Sequence, residues 1–247
     1  MVFLCGDSTG KNEDNNPDGM WGWGSQAYTV FDANKCVFQN QAKAGHSTRT
    51  YIDEGRWEEV YNSLQRGDVV LIQFGHNDIG GIKDGKQRGV LATAKDSSAV
   101  YHMENSNLYK VIYSYGWYLK KMIRDAQDKG AYPILLSLTP RNEWHEGNGH
   151  SRGFVYPVNE KAGKFYIERR NETYGSWCRQ VARETGCEFI DVHNITANAL
   201  DKLGQKKAAL YFKNDHTHTS LKGAQLNAQS VAKGLREINS PVTYLLK

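Results

Sequence analysis

The chain has 247 residues, 39% of them hydrophobic and 23% charged, with a formal net charge of +4. This composition fits a soluble globular protein and excludes disordered and fibrous classes. Lys and Arg are dispersed along the chain, so neither nucleic acid nor a membrane is expected as a partner, and no apolar run approaches the ~18 residues of a membrane span.

The first predicted strand is Val2–Gly6, an apolar run too short for a signal peptide. Any export signal is expected upstream and already removed, which leaves the compartment open: secreted or periplasmic in that case, cytoplasmic otherwise. GDSTG follows the strand, and then KNEDNNPDGMWGWG at 11–24, Gly-rich and polar with aromatics interleaved, as binding loops often are. A second strand is predicted over Cys36–Gln41 and a third over Asp68–Phe74. The continuous apolar run DVVLIQFG suits a central parallel strand covered on both faces. Leu108, Val111, Ile112, Tyr115, Leu119, Met122 and Ile123 recur at spacings of three and four, which predicts a long amphipathic helix ending near Gly130.

Tyr132–Leu138 is the fourth predicted strand, followed by a second Gly-rich polar stretch at 142–160. A helix is expected over Lys164–Thr185, closed by Gly186, then a strand over Glu188–Val192. A last helix after Ser220 carries Leu221, Ala224, Ala228, Val231 and Leu235 on one face. Strands alternating with helices predict an α/β fold, a three-layer α/β/α arrangement on a doubly wound parallel five-stranded sheet. With no repeat and no linker, one domain is expected over residues 1–247. Cys5, Cys36, Cys178 and Cys187 show no metal-ligand spacing and are expected as free thiols.

In such a sheet ligands sit beyond the carboxyl ends of the strands. The residues expected there are Ser8 in GDS, Gly45 in QAKAGHST, Asn77 in GHND and TPRNEW after the fourth strand, with NDHTHTS before the last helix. Together they fit an acyl-transfer site. Serine needs a base within hydrogen-bond reach; His218 can serve, and Asp215, three residues earlier, can hold the other ring nitrogen. The N–H groups of Ser8 and Gly45, with the Asn77 amide, can receive the oxyanion of a tetrahedral intermediate.

These ordered blocks resemble the SGNH, or GDSL-type, hydrolase superfamily. The words AGHSTRTYIDEGRW, FGHND and NDHTHTSLKGAQLNA resemble its rhamnogalacturonan acetylesterase branch, carbohydrate esterase family 12. The resemblance implies a flavodoxin-like fold and removal of acetyl groups from a plant polysaccharide, with no cofactor or metal. It implies Ser8 as nucleophile, Asp215 and His218 completing the triad, and Ser8, Gly45 and Asn77 as the oxyanion hole. An acetylated carbohydrate is the expected partner; the sequence leaves oligomeric state open.

Candidate sugar contacts are Trp21, Trp23, His76, Arg49, Arg141 and Trp144. Asp7 and Asp78 read as braces of their loops, Trp57 and Trp117 as packing residues, and His216 as turned away from the site. The G-x-S-x-G match to a nucleophile elbow fails because almost no chain precedes Ser8 to supply its oxyanion loop. Three other readings are an acetylxylan or other short-chain esterase, a metal-dependent phosphoesterase and a non-catalytic carbohydrate-binding protein. GHND and DHTH echo the phosphoesterase motifs, but scrambled and without the N-terminal D-x-H.

Overall fold

A computed structural model describes residues 1–11, 16, 18–146, 165–169 and 173–247. In chain order its strands are β1 (Val2–Gly6), β2 (Phe38–Asn40), β3 (Val69–Gln73), β4 (Ser98–Met103), β5 (Leu108–Tyr113), β6 (Tyr132–Leu136), β7 (Trp144–Glu146), β8 (Phe165–Ile167) and β9 (Glu188–Ile190). The helices are α1 (Thr48–Asp53), α2 (Arg56–Ser63), α3 (Tyr115–Asp128), α4 (Tyr174–Thr185), α5 (Val192–Leu203), α6 (Gln205–Ala208) and α7 (Leu221–Glu237).

The main sheet is wholly parallel in the order β2-β1-β3-β6-β9, the flavodoxin-like doubly wound order. Alternate side chains of each strand enter opposite layers. Phe3, Cys5, Val70, Ile72 and Leu135 pack beneath α1 to α4 with Tyr51, Trp57, Leu119 and Val181. Val2, Leu4, Val69, Leu71, Ile134 and Leu136 face the other layer, with Trp23, Val192, Val231 and Leu235. Burial on both faces explains why these strands read as unbroken apolar runs.

Two expected helices start later than the periodicity indicates. Residues 108–113 form β5, antiparallel to β4, and the helix begins only at Tyr115. Ser114 caps it by accepting a hydrogen bond from the Trp117 N–H at 3.1 Å. Val111 and Ile112 are β-branched and suit the hairpin, in which Ile112 and Met103 bury one face. In the stretch expected as one helix over 164–185, residues 165–167 are β8, paired with β7, and the helix proper starts at Tyr174. Lys164 and residues 147–160 of the second Gly-rich stretch lie outside the described residues. No helix among the described residues is long and apolar enough to cross a membrane.

Candidate active site

Three neighbouring strands deliver three loops to one edge of the sheet. Gly6 lies beside Gln73 in the register of β1 and β3, so Ser8 and the His76–Asn77 pair leave the sheet side by side, with the Gly45 loop beyond β2 on the other flank. Asp7, 1% exposed, braces the first loop. Its carboxylate accepts from the Thr9 N–H and hydroxyl, both at 2.8 Å, and from the His76 N–H. Burial pushes the Asp7 carboxyl up, against those hydrogen bonds and the nearby His218. Asp78 ties the third loop to α1, accepting from the Thr48 N–H at 3.0 Å and the Thr48 hydroxyl at 2.5 Å. Burial, with Asp7 nearby, lifts its pKa to about 7, and its second oxygen has no partner among the described residues.

The fourth loop comes from the far end of the chain. Asp215 folds residues 213–219 around its own carboxylate, with Oδ1 accepting from the N–H groups of Thr217 and His218, both at 2.7 Å. Its Oδ2 lies 2.6 Å from His218 Nδ1, and His218 Nε2 lies 2.9 Å from Ser8 Oγ. The carboxylate assigns the ring proton to Nδ1, which leaves the Nε2 lone pair facing the serine hydroxyl. Burial would raise the Asp215 carboxyl, but the hydrogen bonds from His218 and Thr217 outweigh it and hold it below the ordinary carboxylate range. Thr219 ties this loop to the N-terminal segment through its N-terminal neighbourhood: Trp21 N–H donates to Thr219 O at 2.8 Å and Thr219 Oγ1 to Trp21 O at 2.6 Å.

A small open cleft lies above this line, walled by Ser8, Lys11, Met20, Trp21, Gly22, Ala44 and His218. Among the described residues the N–H groups of Ser8 and Gly45 have no acceptor in the protein. Asn77 uses one Nδ2–H on His46 O at 3.0 Å, and its other amide hydrogen is uncommitted among the described residues.

Of the candidate sugar contacts, Trp21 alone lines the cleft. Trp23 is fully buried and donates Nε1–H to Gln73 Oε1 at 2.7 Å. The glycine before it matters for that packing: a Cβ on Gly22 would lie 2.2 Å from Lys11 O, so the end of the Gly-rich loop folds flat against residues 9–11. Arg49 is also interior, 2% exposed, donating to Ile82 O at 3.0 Å and Gly89 O at 3.1 Å. The His76 ring is buried beside Thr139 Oγ1 at 3.3 Å. Arg141 sits 4.0 Å from Glu143. Trp144 donates to Asn142 Oδ1 at 2.9 Å and packs against the Ile167 and Leu200 cluster. His216 Nδ1 lies 3.3 Å from the Glu143 carboxylate and 2.9 Å from Thr217 Oγ1. Sequence reasoning missed Lys11 and Met20 in the cleft wall; both lie in the flagged 11–24 loop, and neither residue type carries a catalytic signal of its own. Among the described residues no three His, Cys, Asp or Glu side chains gather as metal ligands, and the four cysteines are free.

Residues 4–226 match the family described as GDSL-like lipase/acylhydrolase. The chain belongs to that family. The matched span contains Ser8, Gly45, Asn77, Asp215 and His218, and the family is one of ester hydrolases. Over 234 residues the chain is 27% identical to a rhamnogalacturonan acetylesterase of Emericella nidulans, covering 95% of this chain and 84% of that one. Two crystal structures share the fold. The protein YxiM of Bacillus subtilis aligns with TM-score 0.71 at 19% identity, over 97% of this chain and 57% of its own length. The acetylxylan esterase Axe2 of Geobacillus stearothermophilus aligns with TM-score 0.58 at 22% identity, over 96% of this chain and 93% of its own.

Proposed function

We propose that this family member is a serine esterase that removes acetyl groups from a carbohydrate, with acetylated rhamnogalacturonan as its substrate. One observation carries the mechanism: the unbroken chain Asp215–His218–Ser8, at 2.6 and 2.9 Å, on the floor of an open cleft. The substrate rests on the sequence words shared with the acetylesterase branch and on the relative of that name. The cleft wall of Ala44, Met20 and Trp21 leaves room for a small acyl group beside an aromatic face for a sugar ring.

His218 Nε2 takes the proton of Ser8 as Oγ attacks the acetyl carbonyl carbon. The oxyanion forms against the N–H groups of Ser8 and Gly45 and the free amide hydrogen of Asn77. Collapse breaks the ester bond, and the sugar oxygen leaves with the proton from His218. Water then gives a proton to His218 and attacks the acetyl-enzyme; acetate departs and Oγ recovers its proton. The whole chain acts as one domain in this reading.

Acetate release from acetylated rhamnogalacturonan, acetylated xylan and p-nitrophenyl acetate, with wild type and Ser8→Ala, tests it. Release from rhamnogalacturonan above all, abolished in the variant, is expected. Preference for xylan would replace the substrate, turnover of p-nitrophenyl acetate alone would remove the carbohydrate, and polysaccharide binding without acetate release would remove the catalysis.

A further inference from the structure

Within that acyl-transfer reading, we propose that Arg88 is a positioning residue of the oxyanion hole, locking the Asn77 amide and placing a guanidinium against Gly45. Arg88 belongs to the loop between β3 and β4, a stretch without a sequence signal. Its Nη1–H donates to Asn77 Oδ1 at 3.1 Å, on the far side of the amide from the Nδ2–H to His46 O at 3.0 Å. A guanidinium only donates and a backbone carbonyl only accepts. Between them the Asn77 amide has one permitted orientation, and that orientation leaves its second Nδ2–H available. A flipped amide would set N–H against N–H on one side and oxygen against oxygen on the other.

The same guanidinium rests on Gly45. This residue has φ +76, and a Cβ there would lie 2.5 Å from Arg88 Nη2. A side chain at position 45 would therefore be strained and would also displace the guanidinium. Among the described residues Arg88 forms no ion pair with a carboxylate, so its charge is available to two of the three oxyanion donors.

The loop is built to hold it. Gly89 N–H donates to Gly81 O at 2.8 Å, Val90 N–H to Asp78 O at 3.2 Å, and buried Arg49 donates to Gly89 O. Arg49, expected as a sugar contact, thus supports the segment that carries Arg88. A charge-assisted hydrogen bond to the amide oxygen also polarises the amide and strengthens its remaining N–H as a donor.

The test uses the full chain as wild type, Arg88→Met, Arg88→Lys, Asn77→Ala and Asn77→Ala/Arg88→Met, with p-nitrophenyl acetate and acetylated rhamnogalacturonan. Removing an oxyanion donor costs about 10²- to 10³-fold, and loosening one should cost less. Arg88→Met should lose about 10- to 100-fold in kcat on both esters, with KM within about threefold and the thermal midpoint nearly unchanged. Added guanidinium should restore part of the loss, Arg88→Lys should fall between, and in the Asn77→Ala background the Arg88→Met loss should shrink to a few-fold. Several results would overturn the proposal: kcat within twofold of wild type, a loss confined to KM for the acidic polysaccharide, or losses that add in the double variant. Wild type inactive on both esters would instead remove the acyl-transfer reading beneath it.

Discussion

Replacing Asp215 by Asn separates two things that a carboxylate can do for a catalytic histidine. If Asp215 acted mainly by charge, its effect would be modest: its side chain is 43% exposed, and at effective dielectric constants of ~20–80 a pair at ~4 Å is worth about 1–4 kcal/mol. Its hydrogen bonds point to a larger effect. In Asp215→Asn the retained oxygen can still accept from the Thr217 and His218 N–H groups, so the loop survives. The amide nitrogen in place of Oδ2 can only donate to His218 Nδ1. The ring proton then moves to Nε2 and faces Ser8 as a donor, where a base is needed. We expect kcat for p-nitrophenyl acetate to fall about 10⁴-fold, or about 5 kcal/mol of barrier, with the thermal midpoint nearly unchanged. Combining Asp215→Asn with Ser8→Ala should add little to the loss from Ser8→Ala alone, since the two act as one unit. A kcat within tenfold of wild type, in a variant that melts like wild type, would refute the tautomer account.

Asp78 makes stability depend on pH in a defined direction. Its folded pKa, about 7 against an ordinary 3.8, means the folded chain holds a proton the unfolded chain releases between about pH 4 and 7, so wild-type stability falls as pH rises through that window. Asp78→Asn removes this slope, and its advantage over wild type should grow on the order of a few kcal/mol across it; parallel denaturation midpoints at pH 4.5 and 7.5 would contradict the burial argument. The two neighbouring tryptophans should part company. Trp21→Ala should lower kcat/KM for the polysaccharide more than for p-nitrophenyl acetate. Trp23→Phe, which strands Gln73 Oε1, should cost about 1–3 kcal/mol of stability and leave KM alone, and equal effects on KM would undo the distinction. A chelator should leave turnover intact; activity lost on chelation and restored by a divalent cation would remove the metal-free serine chemistry.

The sheet was legible because parallel strands buried on both faces must be largely apolar, and residues 69–72 and 2–5 are apolar without a break. Periodicity failed at 108–113, where a strand pair and a helix follow each other without a break: Leu108, Val111 and Ile112 happen to continue the spacing of Tyr115 and Leu119. Only the Ser114 cap marks the boundary. Local spacing brought Asp215 and His218 together before any fold was known, since three residues suffice for an Asx-type turn. The aromatic and basic candidates were less legible. Trp21 and Trp23 share a Gly-rich neighbourhood, and their fates diverge through a hydrogen bond to Gln73, fifty residues away. Arg49 looks like a surface cation until the carbonyls of residues 82 and 89 are seen to receive it.

The hydrogen bond between Ser8 and His218 spans 210 positions of sequence. The strand that leads to Ser8 pairs with segments tens of residues away, whereas the histidine loop is fixed by Trp21, Thr219 and the start of the last long helix. During synthesis the first four main-sheet strands are complete long before the histidine emerges, and closing so long a loop is among the slower events of folding. Recovered esterase activity is therefore a clock for the last act of assembly. On refolding it should lag behind formation of the sheet, and a chain stopped short of residue 218 would lose it together with Ala228, Val231 and Leu235, which complete one core layer around Trp23.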